Sequence, residues 1–530
     1  MRRKGSILWH HASAQTMTTL PDAAVGDSAR RRHLSTAAIL LFLFAYLVVG
    51  WFTLTSDHYW GDDWAQYIMH ARNLATGHAY ADTGYIFNPD FPSEGPASYP
   101  PGTPLVLAPV VALFGIDIVA LKVPMLLCLA LALPVAVRLM APVIGIGAAL
   151  VGVAIVALHP QYWGLRQWVN SDAPYMLFSM LALWWAQRPV SRETRQAFTS
   201  GAMLGVLLFA ALSCRTVGLA LLPAIAVHGI AHRRRWSWFA GLAVVLLAAL
   251  GAESMLLAPP PTYQGELRSP TVSRVSAQPL GYLAELANIF PAPMDLSLEA
   301  ALFVLAASFV GLGFTLVRRR ADGETPGTGP FGMLARVPIF AWYLGAYMAA
   351  LFLASIAPNQ RLLTPVLPIA IPLAVHGVQV LVSRRIRPRL ALGGMAILGM
   401  AYVVALDAIG RASLHGQVAT CRECLEMFAF VRDKTPPDSV IVFSKPRAMA
   451  LLGARHSWPA AWRYTPEQLD SRIRKFGGDY FVGGVQGSEF ARRFPQPAAV
   501  RERMAAPGAD VVFRNGEFEI VRVGQASHAR

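Results

Sequence analysis

The sequence predicts a polytopic α-helical membrane protein ending in a small soluble α/β domain, and three observations carry that prediction. Of 530 residues, 55% are apolar and 15% charged, with a mean hydropathy of +0.43; soluble domains carry roughly 25% charged residues. Apolar runs long enough to cross a hydrocarbon layer of about 30 Å recur from Ser35 to Ala408 and then stop. Basic residues cluster between the runs, as in Arg30-Arg31-Arg32, Arg233-Arg234-Arg235, Arg318-Arg319-Arg320 and Arg384-Arg385.

That last pattern accounts for the net charge of +15. Arginine clusters in short loops mark the cytoplasmic side. No RNP, helix-turn-helix or zinc-finger spacing points to nucleic acid instead.

In chain order, residues 1–33 read as a cytoplasmic tail. The first apolar run follows Arg32-His33 with no small-residue cleavage site before Trp51, so it reads as an uncleaved signal anchor. Spans are expected near 34–55, 118–138, 141–158, 172–187, 198–213, 216–231, 237–257, 298–317, 337–357, 362–382 and 390–409. Eleven crossings from a cytoplasmic N-terminus leave the C-terminus outside. The basic clusters then fall on the inner side. The run 103–114, led by Pro100-Pro101-Gly102, is too short to cross and reads as a re-entrant or interfacial helix.

The expected domains are a membrane region, 34–409, with an outer loop at 56–102, and an extracytoplasmic α/β domain at 410–530. Inside the loop, Asp63 to Gly77 has the spacing of a helix with an acidic start and a glycine stop. Its apolar stripe of Trp64, Tyr67, Ile68, Ala71 and Leu74 suggests a helix lying on the membrane surface. In the C-terminal domain, 439–443 and 480–482 read as strands, and 511–523 as a hairpin turning at Asn515-Gly516. Helices are expected at 425–433 and 466–476.

The residues fit for chemistry lie at the outer ends of the runs. Asp62 and Asp63 follow the first span, where an ionised carboxylate can act as a general base; alternatively, one of them caps the following helix. Asp172 closes the short loop that begins at His159 and has the same two readings. Arg361, in an outer turn, and Arg215 either pair with a lipid phosphate or snorkel to the interface. Lys445, Arg447, Arg455 and His456 read as solvated surface. The aromatics Tyr59, Trp60, Trp64, Tyr67, Tyr162, Trp163 and Trp168 fit an interfacial belt, or platforms that stack on sugar rings.

Cys128 and Cys214 read as packing residues, and Cys421 with Cys424 as a local disulfide or two unpaired thiols. A lone CxxC lacks the second ligand pair of a zinc site. No glycine-rich phosphate loop occurs in suitable context. No metal and no cofactor are therefore expected.

The stretch Gly61-Asp-Asp-Trp-Ala-Gln-Tyr67, running on to Gly77, resembles the first-loop signature of GT-C glycosyltransferases, nearest the protein O-mannosyltransferases and lipid A aminoarabinose transferases. Tyr99-Pro-Pro-Gly102 is similar to the family's proline-led helix, with Tyr99 where some members have Lys or His. His159 to Asp172 resembles its second outer loop, and Arg361-Leu-Leu-Thr-Pro-Val-Leu-Pro368 its arginine-led segment. The resemblance implies a GT-C-like fold of about eleven spans. It also implies transfer of a hexose or pentose from a polyprenyl-phosphate carrier to an acceptor hydroxyl, with inversion, on the outer face of the plasma (inner) membrane.

By that likeness Asp63 takes the catalytic aspartate's place. The family's next acid is replaced here by Trp64, and Asp62 supplies the second carboxylate. Asp172 joins the catalytic set; Tyr67, Arg361, Arg215 and His159 join the substrate-binding set. The expected partners are the lipid-linked donor, membrane lipids, and an acceptor that is a lipid, glycan or protein. Two rival readings remain: a glycolipid transporter or flippase, for which Glu253 within a span would matter, and a non-catalytic membrane scaffold that has no need of Asp63.

Overall fold

A computed structural model describes residues 39–257, 272–289, 297–321, 330–354, 357–382 and 418–523. The expected tail at 1–33 and the last span at 390–409 lie outside the described residues, as does part of the loop 258–297. Two compact units divide the chain, Met1–Val49 and Gly50–Arg530. In the first, the helix Ile39–Phe52 begins at Ile39. The other elements belong to the second.

Among the described residues, four helices are long and apolar enough to cross a membrane: Ile118–Ile144, Thr194–Cys214, Trp236–Met255 and Gln360–Leu381. A bent pair, Ile146–Leu158 with Pro160–Gln167, makes up to five. Shorter apolar helices include Gly102–Phe114, Thr216–Ala231, Ala301–Val317 and Ile339–Leu353. The sequence break expected at 139–140 is absent. The helix instead runs on to Ile144 and stops at Gly145, whose φ of +85° suits a residue without a Cβ.

Small residues let the helices close on each other. A Cβ on Gly201 would lie 1.9 Å from the Trp238 carbonyl oxygen, and one on Gly241 would lie 2.1 Å from that of Phe198. The helices Thr194–Cys214 and Trp236–Leu256 thus meet backbone to backbone. Gly377 and Gly311 do the same for Leu367–Leu381 against Ser297–Ala321.

The C-terminal layer is a five-stranded sheet in the order β2-β1-β3-β5-β4, with β1 Val440–Val442, β2 His456–Trp458, β3 Tyr480–Gly484, β4 Ala509–Arg514 and β5 Phe518–Val523. β1 runs parallel to β2 and β3, and β5 is antiparallel to β3 and β4. The expected hairpin forms, with Asn515 N donating to Phe518 O at 2.9 Å. Helices occupy Arg422–Lys434 and Pro466–Phe476. The sequence reading missed β2 and the helix Pro446–Leu452. Cys421 and Cys424 form a disulfide.

The loop 56–102 is built into this layer. Tyr85 pairs with Ser457 on the edge strand β2, and Tyr59 pairs with Val418. Asn88 donates to Pro459 O at 2.8 Å, and Asp90 pairs with Arg472 at 2.5 Å. The helix Asp63–Thr76 packs against Gly102–Phe114 and Pro446–Leu452. Its Trp64, Tyr67, Ile68 and Ala71 are buried by protein. This corrects the expectation of a helix lying on the membrane surface: the apolar stripe is there, but its partner is the chain itself.

The aromatic belt is corrected in part: Tyr59 stays exposed and stacks on the half-buried Trp168, but the others turn inward. Trp60, Trp64, Tyr162 and Trp163 are all buried. Trp60 is packed against Phe443, Phe490 and Phe518 of the C-terminal layer.

Candidate active site

Two adjacent carboxylates are sent to different places where the loop enters its helix Asp63–Thr76. Asp62 stands at the N-cap of Asp63–Thr76, yet its side chain makes no capping bond there. Its two oxygens instead accept the backbone N–H groups of Arg447 at 3.0 Å and Ala448 at 2.9 Å. They thereby satisfy the open start of the helix Pro446–Leu452, where negative charge is favoured. Burial pushes the Asp62 carboxyl up, against the pull of Arg447, Lys445 and these amides.

Asp63 keeps 37% of its side chain exposed. Its Oδ1 accepts the Tyr99 hydroxyl at 2.6 Å and Arg447 Nη1 at 3.1 Å; its Oδ2 is 3.4 Å from Arg361 Nη1. Burial would raise this carboxyl, but Arg447, Arg361 and the Tyr99 hydroxyl together hold it below the usual carboxylate range. The neighbouring acids are therefore driven apart, a pattern that separates roles in paired carboxylates.

Asp172 opens the helix Asp172–Gln187 and is fully buried. One oxygen takes Arg215 Nη1 and the other takes Arg361 Nε. Arg361 thus bridges Asp172 and Asp63 while remaining 31% exposed. Tyr67 donates to Ser171 Oγ at 3.2 Å, one residue before Asp172. Burial, followed by the Asp63 charge, pushes its phenol up to about 12.

A cavity of about 260 Å³ opens beside these groups, lined by Asp63, Arg361, Glu94, Lys445, His58 and Trp168 among others. Glu94 and Lys445 approach to 3.6 Å. Burial nevertheless pushes the Glu94 carboxyl up to about 7. His58 is held from both ring nitrogens, with Tyr59 O at 3.0 Å from Nδ1 and Val169 N at 3.0 Å from Nε2. Its ring stacks on Trp64, and burial lowers its pKa to about 3, so it is neutral and sets the loop's shape.

The structure therefore brings Asp63, Asp172, Tyr67, Arg361 and Arg215 into one connected cluster, with Asp62 behind it. His159 stands apart from the cavity: its Nδ1 accepts Gln161 N at 3.2 Å and caps the helix Pro160–Gly164. Glu253 accepts Ser213 Oγ at 3.3 Å near the end of its helix. Among the described residues no three His, Cys, Asp or Glu side chains converge as a metal site.

Sequence reasoning missed Tyr99, Glu94, Lys445 and Arg447. The surface reading of Arg447 and Arg455 is corrected, because both are buried. Arg455 donates to Arg432 O and Thr435 O, each at 2.6 Å. Pro446 at the start of a helical stretch signalled a helix, but no local pattern shows which acid its arginine meets.

The fold and part of the sequence have known counterparts. Residues 98–256 match the family described as dolichyl-phosphate-mannose-protein mannosyltransferase. No curated protein matches the chain. Among solved structures, ArnT from Cupriavidus metallidurans bound to undecaprenyl phosphate superposes with a TM-score of 0.54 at 15% identity, over 92% of this chain and 98% of that one. The arabinofuranosyltransferase AftD from Mycobacteria gives 0.51 at 13% identity, over 92% of this chain and 40% of that one. The archaeal oligosaccharyltransferase AglB from Archaeoglobus fulgidus, in complex with an inhibitory peptide and a dolichol-phosphate, gives 0.51 at 10% identity, covering 85% and 70%. The chain has the fold of these proteins, the GT-C fold anticipated from its motifs.

Proposed function

We propose that this GT-C-fold chain moves a sugar from a polyprenyl-phosphate carrier to an acceptor hydroxyl, with inversion, at the extracytoplasmic face of the inner membrane. In this reading the N-terminus is cytoplasmic, and eleven crossings and a re-entrant Gly102–Phe114 place the α/β layer, 410–530, outside. One observation carries the reading: Asp63 is ionised, partly exposed and set beside the half-open Arg361 on a cavity.

Asp63 draws the proton from the acceptor hydroxyl as that oxygen attacks the anomeric carbon. The bond from that carbon to the phosphate oxygen breaks, and the charge left on the phosphate is met by Arg361 through charge-assisted hydrogen bonds. Arg215 acts at one remove: with Arg361 it shares Asp172, whose oxygens are both occupied and which therefore orients the arginines. Tyr67 packs against Tyr99 and supports the same wall. His159 shapes the second outer loop.

The test is release of labelled sugar from polyprenyl-phosphate hexose, pentose and aminopentose donors by membranes containing the protein. Replacing a general base costs about 10²–10⁴-fold in rate, so Asp63→Asn is expected to lose that much. The proposal fails if wild type releases sugar from none of these donors, or if Asp63→Asn releases it at the wild-type rate.

A further inference from the structure

The cation closest to Asp63 comes from the C-terminal layer. Arg447 has no exposed side-chain surface. Its Nη1 meets Asp63 Oδ1 at 3.1 Å and Tyr99 Oη at 3.4 Å, and its Nη2 donates to Glu94 O at 2.5 Å. The guanidinium also lies over the rings of Tyr85, at 4.8 Å, and Tyr99, at 5.4 Å. The path is closely fitted: Gly95 has φ +125°, and a Cβ there would fall 2.0 Å from Arg447 Nη2. The backbone N–H of Arg447 is one of the two that Asp62 accepts.

Two adjacent aspartates thus grip one arginine from opposite ends. Asp62 fixes where the helix Pro446–Leu452 begins, and Asp63 receives the side chain. We infer that Arg447 is a positioning residue for the proposed base, so that the centre is complete only when the C-terminal layer is seated on Asp62. This rests on the transfer reading above. Arg447 and Tyr99 pin Oδ1 and leave Oδ2 with the longer Arg361 contact, which orients that oxygen for an incoming hydroxyl.

The charge also matters. An opposite charge within about 4–6 Å favours the ionised carboxylate. Around Asp63, Arg361, Arg215 and Asp172 face it from the helix side, and Glu94 and Tyr99 from the loop. Lys445 and Arg447 come from the C-terminal layer, while Asp62 and Tyr67 belong to its own segment. Arg447 is the buried cation nearest the carboxylate, so its loss should raise the pH at which Asp63 becomes ionised.

The experiment uses the purified full chain in detergent. A thermal-unfolding cycle compares wild type, Asp63→Asn, Arg447→Gln and the double variant. The double variant is expected to lose less than the sum of the singles, since each single leaves a partner unpaired; strict additivity would overturn the link. The pH profile of sugar release gives the second readout. Its acidic limb is expected to move up by about one pH unit in Arg447→Gln, about tenfold lower activity on the limb, and to stay within about 0.3 unit in Arg447→Lys.

An unmoved limb in Arg447→Gln, with wild type active, overturns the inference and leaves the transferase reading standing. Wild type that releases no sugar defeats that reading, while the unfolding cycle still decides the contact. Should Arg447→Gln fail to fold, Gly95→Ala puts a Cβ against Arg447 Nη2 and displaces the guanidinium from Asp63 without adding or removing a charge. It is expected to move the limb the same way, and an unmoved limb there has the same consequence.

Discussion

Asp172 and its two arginines make the sharpest case at the scale of single residues. Asp172→Asn would leave Arg215 and Arg361 without the carboxylate they share, Arg361 keeping only its longer contact to Asp63. Breaking a buried pair from one side costs about 3–5 kcal/mol; Arg361 is 31% exposed, so about 3 kcal/mol is expected. Denaturant unfolding of the full chain in detergent measures it. The acids of this site could be read from the sequence by type and position, since a carboxylate at the end of an apolar run stands out. Their division of labour could not. What separates Asp62 from Asp63 is an arginine 384 positions beyond Asp63, and no local pattern encodes a pairing at that distance.

Among elements, the helices were legible because a run of about 20 apolar residues has few other uses. Their ends were less so: the stop at Gly145 depends on one backbone conformation rather than on hydropathy. The missed β2 is three residues long and the missed helix Pro446–Leu452 seven, too short for a periodic signal. Close helix crossing yields a prediction of its own. Gly201→Leu must part Thr194–Cys214 from Trp236–Leu256, because even a Cβ would meet the Trp238 carbonyl. Overpacking costs about 1–3 kcal/mol or more, and a lower thermal midpoint is expected. Val206→Leu, on the exposed side of the same helix, should change stability by no more than about 0.5 kcal/mol.

For the molecule as a whole, the candidate site belongs to no single layer: the first loop, the apolar helices and the sheet domain each supply a charged group. Glu94, between the loop and Lys445, makes that junction sensitive to pH. Burial raises its carboxyl to about 7, against roughly 4.3 in an unfolded chain. The folded state therefore binds the proton more readily over that interval, and Glu94's contribution to stability declines as pH rises from about 4.3 to about 7, then levels off. Unfolding midpoints at several pH values should show wild type losing stability across this window relative to Glu94→Gln, with parallel curves above it. Nothing local in the sequence distinguishes Glu94, because the burial that matters is supplied by residues far along the chain.

The Cys421–Cys424 bridge closes where the chain enters its sheet domain. Cytosolic reductants keep such thiols open, and oxidising compartments allow them to join. In the orientation proposed above, the ring would be a covalent record of passage: a copy threaded backwards through the bilayer would retain two sulfhydryls at that point, and a nascent copy would carry them until export.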